Sequence, residues 1–137
     1  MNIRDSLQLI LASTSPRFSE RFYENLLSHH PELEARFAGV DLKRQGVLLA
    51  MALQVIVEHQ LRPHLAMKNY LKLLGNRHHL LGIPPSDYKK FEISLLTTLG
   101  DFHDKQWSPQ IANEWRTAFE QATELMCEGH ADDFETP

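Results

Sequence analysis

Apolar residues recur every three or four positions along almost the whole chain, and this spacing constrains the fold more than any other feature. It matches the turn of an α-helix, whereas a half-buried strand alternates apolar and polar residues. No segment alternates in that way over a useful length, and no turn pair such as Asn-Gly separates two strand-like runs. The sequence therefore predicts an all-α protein of about six substantial helices and a short one.

Prolines, glycines and capping residues divide this pattern into helices. The first helix, from Ile3, is expected to end at Ser13-Thr14-Ser15-Pro16, where Ser15 suits an N-cap and Pro16 a first helical residue. Further boundaries are predicted before Pro31, at Asp41, at Pro63, at Gly82-Ile83-Pro84-Pro85, at Gly100 and at Ser108-Pro109. The last helix is expected to end before Gly129, with residues 131–137 as a polar tail.

Composition narrows the class of protein. The 137 residues, 42% hydrophobic and 23% charged, suit one soluble domain with room for an internal pocket. A net charge of −4 argues against nucleic-acid binding and against a polybasic membrane patch. The longest apolar run, Val47 to Leu53, is too short to span a bilayer, and the N-terminus is a poor signal peptide. Since Cys127 is the single cysteine, an intrachain disulfide and a thiolate zinc site are excluded, and we expect a cytoplasmic protein.

The signatures of common enzymes are absent. The six glycines are scattered singly, so there is no phosphate loop, and neither H-E-x-x-H nor G-x-S-x-G occurs. His59 and His64 are five residues apart with Pro63 between them, which points their rings to different faces and disfavours a zinc pair. A hydrolase or nucleotide enzyme is therefore disfavoured. Of the eight histidines, His59, His64 and His103 are expected at the surface.

One stretch, Leu74 to Tyr88, has an unusual organisation. His78 near a helix end is followed at +4 by Gly82, at +5 by Ile83 and at +10 by Tyr88. This order resembles the proximal side of a globin, most of all the bacterial single-domain globins and the haem domains of flavohaemoglobins. The resemblance implies His78 as the axial iron ligand, Ile83 at the haem edge, and Tyr88 hydrogen-bonded near the histidine. His79 is the main rival for the ligand role and is expected to face solvent.

The resemblance continues through the first half of the chain. Tyr23 corresponds to a tyrosine of the family's second helix, which faces the ligand. Phe37 corresponds to a phenylalanine of the corner after that helix, which stacks on the porphyrin. Gln45 falls at the distal position of the next long helix, and Leu49 lies one turn further on. The resemblance thus implies a globin fold over residues 1–130, with six to eight helices around a haem b pocket.

Each of these residue types suits the role that the resemblance implies. An imidazole gives iron one strong axial donor and leaves the sixth position open. The Tyr23 hydroxyl and the Gln45 amide are donors for a diatomic ligand in a dry pocket. Arg77 at the helix end is expected to reach a haem propionate. The expected apolar walls are Phe37, Leu49, Leu74, Ile83 and Phe91.

The chain departs from the flavohaemoglobin pattern in its last helix. The haem domains of flavohaemoglobins pair the proximal histidine and tyrosine with a late glutamate, whereas His130 occupies that position here and Glu128 lies on another side of the helix. Without a carboxylate, less electron density reaches the iron, which disfavours peroxidase-like chemistry and efficient nitric-oxide dioxygenation. The preferred function is reversible binding of dioxygen, with nitric oxide and carbon monoxide as other ligands.

Several alternatives stay open at this point. One is nitric-oxide dioxygenation with a reductase in trans, since no flavin or nicotinamide domain is expected in this chain. Another is a haem-based gas sensor that works through a partner. A third is a helical interaction domain without a cofactor. The sequence predicts either a monomer or a homodimer.

Overall fold

The computed structural model describes residues 1–13 and 17–131. The expected cap at Ser15 and Pro16 lies outside these residues, as does the predicted tail beyond Ala131. The α-helices are α1 (Ile3–Ala12), α2 (Arg17–His29), α3 (Leu42–Leu61), α4 (Leu65–Leu80), α5 (Ser86–His103) and α6 (Pro109–Ala131). Two 3-10 helices, the corner helix Pro31–Phe37 and the turn Asp104–Gln106, complete the described elements.

The all-α prediction is confirmed, because no strand occurs in residues 1–13 and 17–131. None of the helices described for these residues is long and apolar enough to cross a bilayer.

Several helices begin where capping chemistry predicts. Asp41 precedes α3 and accepts hydrogen bonds from the backbone nitrogens of Lys43 and Arg44, at 3.0 and 3.4 Å. The Ser108 hydroxyl accepts from the Ile111 nitrogen at 3.3 Å, and α6 begins at Pro109. The boundaries predicted at Asp41 and Ser108-Pro109 are therefore confirmed.

The closest contact between helices is the crossing of α4 and α6. A Cβ added to Gly75 would lie 2.0 Å from the Met126 carbonyl oxygen, and one added to Gly129 would lie 1.9 Å from that of Lys72. Each helix thus presents a glycine to the backbone of the other, and the Asn76 side-chain amide donates to the Gly129 carbonyl at 3.2 Å. The crossing fixes α4 against α6 along the turns that precede His78.

A polar network lies inside the core, where α1, α5 and α6 meet. The Trp115 indole donates to the Ser6 hydroxyl at 2.9 Å, and that hydroxyl lies 2.5 Å from His103 Nε2. His103 is 5% exposed and stacks on Trp107 with ring centroids 6.0 Å apart. The surface position expected for His103 is therefore wrong, because Ser6 supplies a buried partner that the local sequence does not show.

Other expectations also need correction. His59 is 7% exposed rather than at the surface, since it lies three residues after Ile56 and continues the buried face of α3. The helix expected to close at Gly100 continues to His103, and the glycine instead gives room to the Trp107 ring, whose Nε1 lies 3.3 Å from a Cβ added there. Leu11 and Leu42 are exposed, although the helical spacing of apolar residues predicts both on buried helix faces. His64 is exposed as predicted and caps α4 through the Ala66 nitrogen.

Substitution Gly75→Ala is expected to destabilise the fold strongly. The added methyl group meets backbone, which no rotamer change can relieve, so α4 and α6 must separate. We expect a loss of about 3 kcal/mol in the free energy of unfolding, at the upper end of overpacking effects. The matched control is Gly100→Ala, where the methyl group meets only a side chain and helix propensity gains about 1 kcal/mol. Urea unfolding checks both, and equal stability of the two variants would contradict the crossing.

Burial lowers the pKa of His103 below its ordinary value. Below about pH 6.5 the unfolded chain therefore binds more protons than the folded one, and the free energy of unfolding falls as the pH is lowered. Urea unfolding at about pH 7.5 and 5.5 measures this loss, and His103→Gln should reduce it. An unchanged pH dependence in the variant would show that His103 does not contribute.

Candidate functional site

The end of α4 is locked by the residues that follow His78. Gly82 has a φ of +81°, the left-handed conformation that glycine adopts without strain. Its nitrogen donates to the His79 carbonyl at 3.0 Å, and the Ile83 nitrogen donates to the His78 carbonyl at 2.9 Å. These two bonds form a Schellman cap, so the glycine at +4 and the aliphatic residue at +5 are what end the helix just after the histidine.

The His78 imidazole is the central group of the site. Its Nδ1 atom is buried and has no hydrogen-bond partner in the described part of the chain. Burial, followed by the nearby charges of His130 and Arg77, lowers the pKa of His78 to about 4. At neutral pH the ring is therefore uncharged and retains a lone pair, which is the state that binds a metal.

Next to the His78 ring, two side chains from other helices, Tyr88 and His130, form a hydrogen-bonded pair. The Tyr88 ring on α5 lies 5.9 Å from the His78 ring, and its hydroxyl lies 2.7 Å from His130 Nε2 on α6. Burial raises the pKa of Tyr88 and lowers that of His130, so both stay neutral at neutral pH. Glu128 lies elsewhere, 3.6 Å from the Lys72 ammonium. His130 thus contacts Tyr88, while Glu128 does not.

His79 is exposed, as predicted for the rival ligand. Its ring lies 5.0 Å from the His130 ring at the ends of α4 and α6. Of the two adjacent histidines, only His78 has a buried ring nitrogen without a partner among the described residues.

Tyr23 lies on α2 among aromatic rings. It is 6% exposed, with ring centroids 5.1 Å from Phe22 and 5.5 Å from Phe37 in edge-to-face packing. Burial raises the pKa of Tyr23 to about 12, so the phenol keeps its proton and can donate it. Its hydroxyl lies 3.4 Å from the Gln45 backbone carbonyl, which is a long hydrogen bond and leaves the donor weakly engaged.

Gln45 lies near Tyr23 because α2 and α3 approach closely at the next residue. A Cβ added to Gly46 would lie 2.6 Å from the Ser19 hydroxyl, so only glycine allows this contact. The sequence predicts the Gln45 amide as a second donor, but in the structure Tyr23 contacts its backbone carbonyl instead. The Gln45 side chain is half-buried.

The expected apolar walls are half-buried and pack against one continuous core. They come from the corner helix, α3, α4, the Gly82 turn and α5. We call the apolar wall the set formed by Phe37, Leu49, Leu74, Ile83 and Phe91. The Phe91 ring lies 6.0 Å from Phe22, so the wall joins the aromatic rings around Tyr23 to α5.

Two cavities lie beside α2 and α3. One cavity of about 370 Å³ is lined by Tyr23, Leu27 and Leu42, and another of about 260 Å³ by Gly46, Leu49 and Leu53, each with further neighbours. His78 lines neither of these two cavities.

Sequence reasoning missed one group at this site. The Arg36 guanidinium lies 2.9 Å from the Asp87 carboxylate and donates to the Gly82 carbonyl at 3.1 Å. The signal was weak, because Asp87 reads as an ordinary first-turn residue and Arg36 as a surface charge. Arg77, expected at a propionate, is exposed beside His78.

The arrangement suits a haem. A neutral imidazole with an unpaired buried nitrogen is the kind of group that would hold the iron of a haem, and half-buried apolar side chains would suit contact with a porphyrin. A weakly engaged phenol lies among the aromatic rings of the same core. The fold and the site together define an all-α protein of the haem-binding type.

Comparisons with known proteins agree with this class. The family model described as Globin matches residues 20–126, which is most of the chain, so the chain belongs to the globin family.

Two relatives are both named Flavohemoprotein. The one from Vibrio cholerae serotype O1 is 26% identical over 121 residues, and the one from Halalkalibacterium halodurans is 27% identical over 119 residues. The matches cover 87% and 85% of this chain but 30% and 29% of the relatives, so the chain spans about three tenths of their length. The family and these relatives support a haem globin.

Proposed function

We propose that this globin is cytoplasmic, binds haem b through His78 and reversibly binds dioxygen and other diatomic gases. The observation that carries the proposal is the buried Nδ1 of His78, which has no partner among the described residues. A buried polar atom without a partner costs about 1–3 kcal/mol, and a ligand bound to the imidazole would offset that cost. Haem, once bound, would supply an iron with an open coordination position for a diatomic ligand.

The chain's own residues have distinct roles in this proposal. His78 donates a lone pair, and its Schellman cap keeps the ring from moving with a fraying helix end. The Tyr23 hydroxyl, whose contact with the Gln45 carbonyl is long, would be a hydrogen-bond donor to the gas. The Gln45 amide is proposed as a second donor. Two such bonds, at about 1 kcal/mol each, slow gas release by one to two orders of magnitude.

The apolar wall keeps water from the site and packs against the porphyrin. Phe37 is proposed to stack on the ring system, and Arg77 to pair with a propionate at the exposed edge. Leu49, Leu74, Ile83 and Phe91 supply apolar area. We propose that this globin works as a monomer or a homodimer.

The pairing of Tyr88 with His130, next to His78, favours gas binding over oxidative turnover. Tyr88 contacts a neutral imidazole, His130, rather than a carboxylate. The His78 Nδ1 atom has no hydrogen-bond partner among the described residues, so no anion lends electron density to the imidazole through a hydrogen bond. Nitric-oxide dioxygenation with a separate reductase is the second candidate, favoured by the name of the two flavohemoprotein relatives. Rapid nitric-oxide consumption with an added reductase would favour it over the carrier.

Substitution His78→Ala is expected to abolish stoichiometric haem retention, because it removes the axial donor. The matched control is His79→Ala, which removes an exposed neighbouring imidazole and should retain haem. Titration with haemin, followed by the Soret band after gel filtration, checks both variants. Loss of haem retention in His79→Ala alone would show that His79, not His78, binds the iron. No uptake of haemin by the unchanged chain would refute haem binding.

Substitution Tyr23→Phe is expected to speed dioxygen dissociation three- to tenfold, because one neutral hydrogen bond of about 0.5–1.5 kcal/mol is lost. Stopped-flow displacement of dioxygen by carbon monoxide measures the rate. Tyr70→Phe, at an exposed position on α4, is the matched control. An off-rate equal to that of the control would show that Tyr23 is not a donor.

A further inference from the structure

A group of four charged side chains joins the corner helix to the beginning of α5. The Arg36 guanidinium contacts the Asp87 carboxylate at 2.9 Å, and the Lys90 ammonium lies 3.3 Å from its other oxygen. Lys90 also contacts Glu32 at 3.1 Å, one turn before Arg36 on the corner helix. Two residues of the corner helix are thus tied to two residues of α5.

Arg36 also contacts the turn that follows His78. Its Nη1 donates to the Gly82 carbonyl at 3.1 Å, while its Nε forms an ion pair with Asp87 Oδ2 at 2.9 Å that lacks hydrogen-bond geometry. Gly82 is the residue that ends α4 through the Schellman cap, and Asp87 immediately precedes Tyr88. The two arms of one guanidinium therefore hold both sides of the loop between His78 and Tyr88. We call these contacts of Arg36 with Gly82 and Asp87 the Arg36 clasp.

Because Asp87 is buried, the Arg36–Asp87 contact differs from a surface ion pair. Its side chain is 3% exposed, whereas that of Arg36 is one third exposed. A buried carboxylate loses its hydration and depends on the cations that face it. By contrast, Arg21 and Asp101 form a looser pair at 3.5 Å with both side chains about half exposed, and such pairs contribute little.

Phe37 directly follows Arg36, and its ring packs edge-to-face with Tyr23 at 5.5 Å. Held by Arg36, the corner helix cannot swing away from the Gly82 turn without breaking the contacts to Gly82 and Asp87. Phe37 and His78 are two of the residues that the proposed function sets against the cofactor. Arg36 is the side chain that links their segments.

We propose that the Arg36 clasp fixes the spacing between Phe37 and His78 and thereby controls haem retention, with Arg36 as a positioning residue. The proposal rests on the proposed function, since it concerns the rate at which bound haem escapes. Gln at position 36 keeps much of the side-chain length but lacks the charge and the forked geometry.

The test measures haem dissociation from the haem-loaded full chain to an excess of an acceptor apoglobin. Arg36→Gln is expected to release haem about tenfold faster or more, because contacts to a charged group are the stronger ones. Asp87→Asn should also speed haem release, and the fold-change in the double variant should be smaller than the product of the two single fold-changes, since both substitutions remove the Arg36–Asp87 contact. Arg36→Lys keeps the charge but loses the forked guanidinium, so its rate of haem release should lie between those of the unchanged chain and Arg36→Gln.

The matched control is Arg21→Gln, which breaks the exposed Arg21–Asp101 pair and should leave haem release unchanged. The midpoint of thermal unfolding, measured on the same samples, separates retention from general stability. The proposal is overturned if Arg36→Gln releases haem no faster than the control, or if the effects of Arg36→Gln and Asp87→Asn simply add. If the unchanged chain takes up no haem at all, the proposed function fails, and this proposal fails with it.

Discussion

The contact between α4 and α6 at Gly75 and Gly129 is the constraint on which the rest of the site depends. Each glycine faces the backbone of the other helix with no room for a Cβ, so the register of α4 on α6 has little freedom. That register brings His79 beside His130, and His130 in turn lies within hydrogen-bond distance of Tyr88. Two residues without side chains therefore set the surroundings of the histidine side chains at the helix ends.

The site combines rigid backbone with groups that have incomplete polar contacts. The Schellman cap at Gly82 satisfies the last carbonyls of α4, while the His78 ring nearby keeps a buried nitrogen without a partner in the described residues. The Tyr23 hydroxyl has only a long contact. Folded proteins seldom leave such groups unpaired unless a ligand completes them. The energetic cost of these groups is the physical basis for proposing a cofactor and a gas between them.

Several helix boundaries and the cap that follows His78 could be predicted from the sequence because they depend on local signals. Asp41 and Ser108 act on backbone groups within three residues, and the spacing of His78 and Gly82 reflects a single cap. The burial of His103 and the Arg36–Asp87 pair were missed because they depend on contacts distant in sequence. His103 is buried because Ser6, 97 residues away, provides a partner, and Arg36 meets Asp87 only after the corner helix folds onto α5. No local period carries that information.

The crystal structure of the haem-loaded protein tests the central claim most directly. We expect porphyrin density against Phe37 and Leu49, with the iron within bonding distance of an imidazole nitrogen of His78 and an open position on the Tyr23 side. Iron bound to His79, or a His78 ring still unpaired with the porphyrin elsewhere, would contradict it.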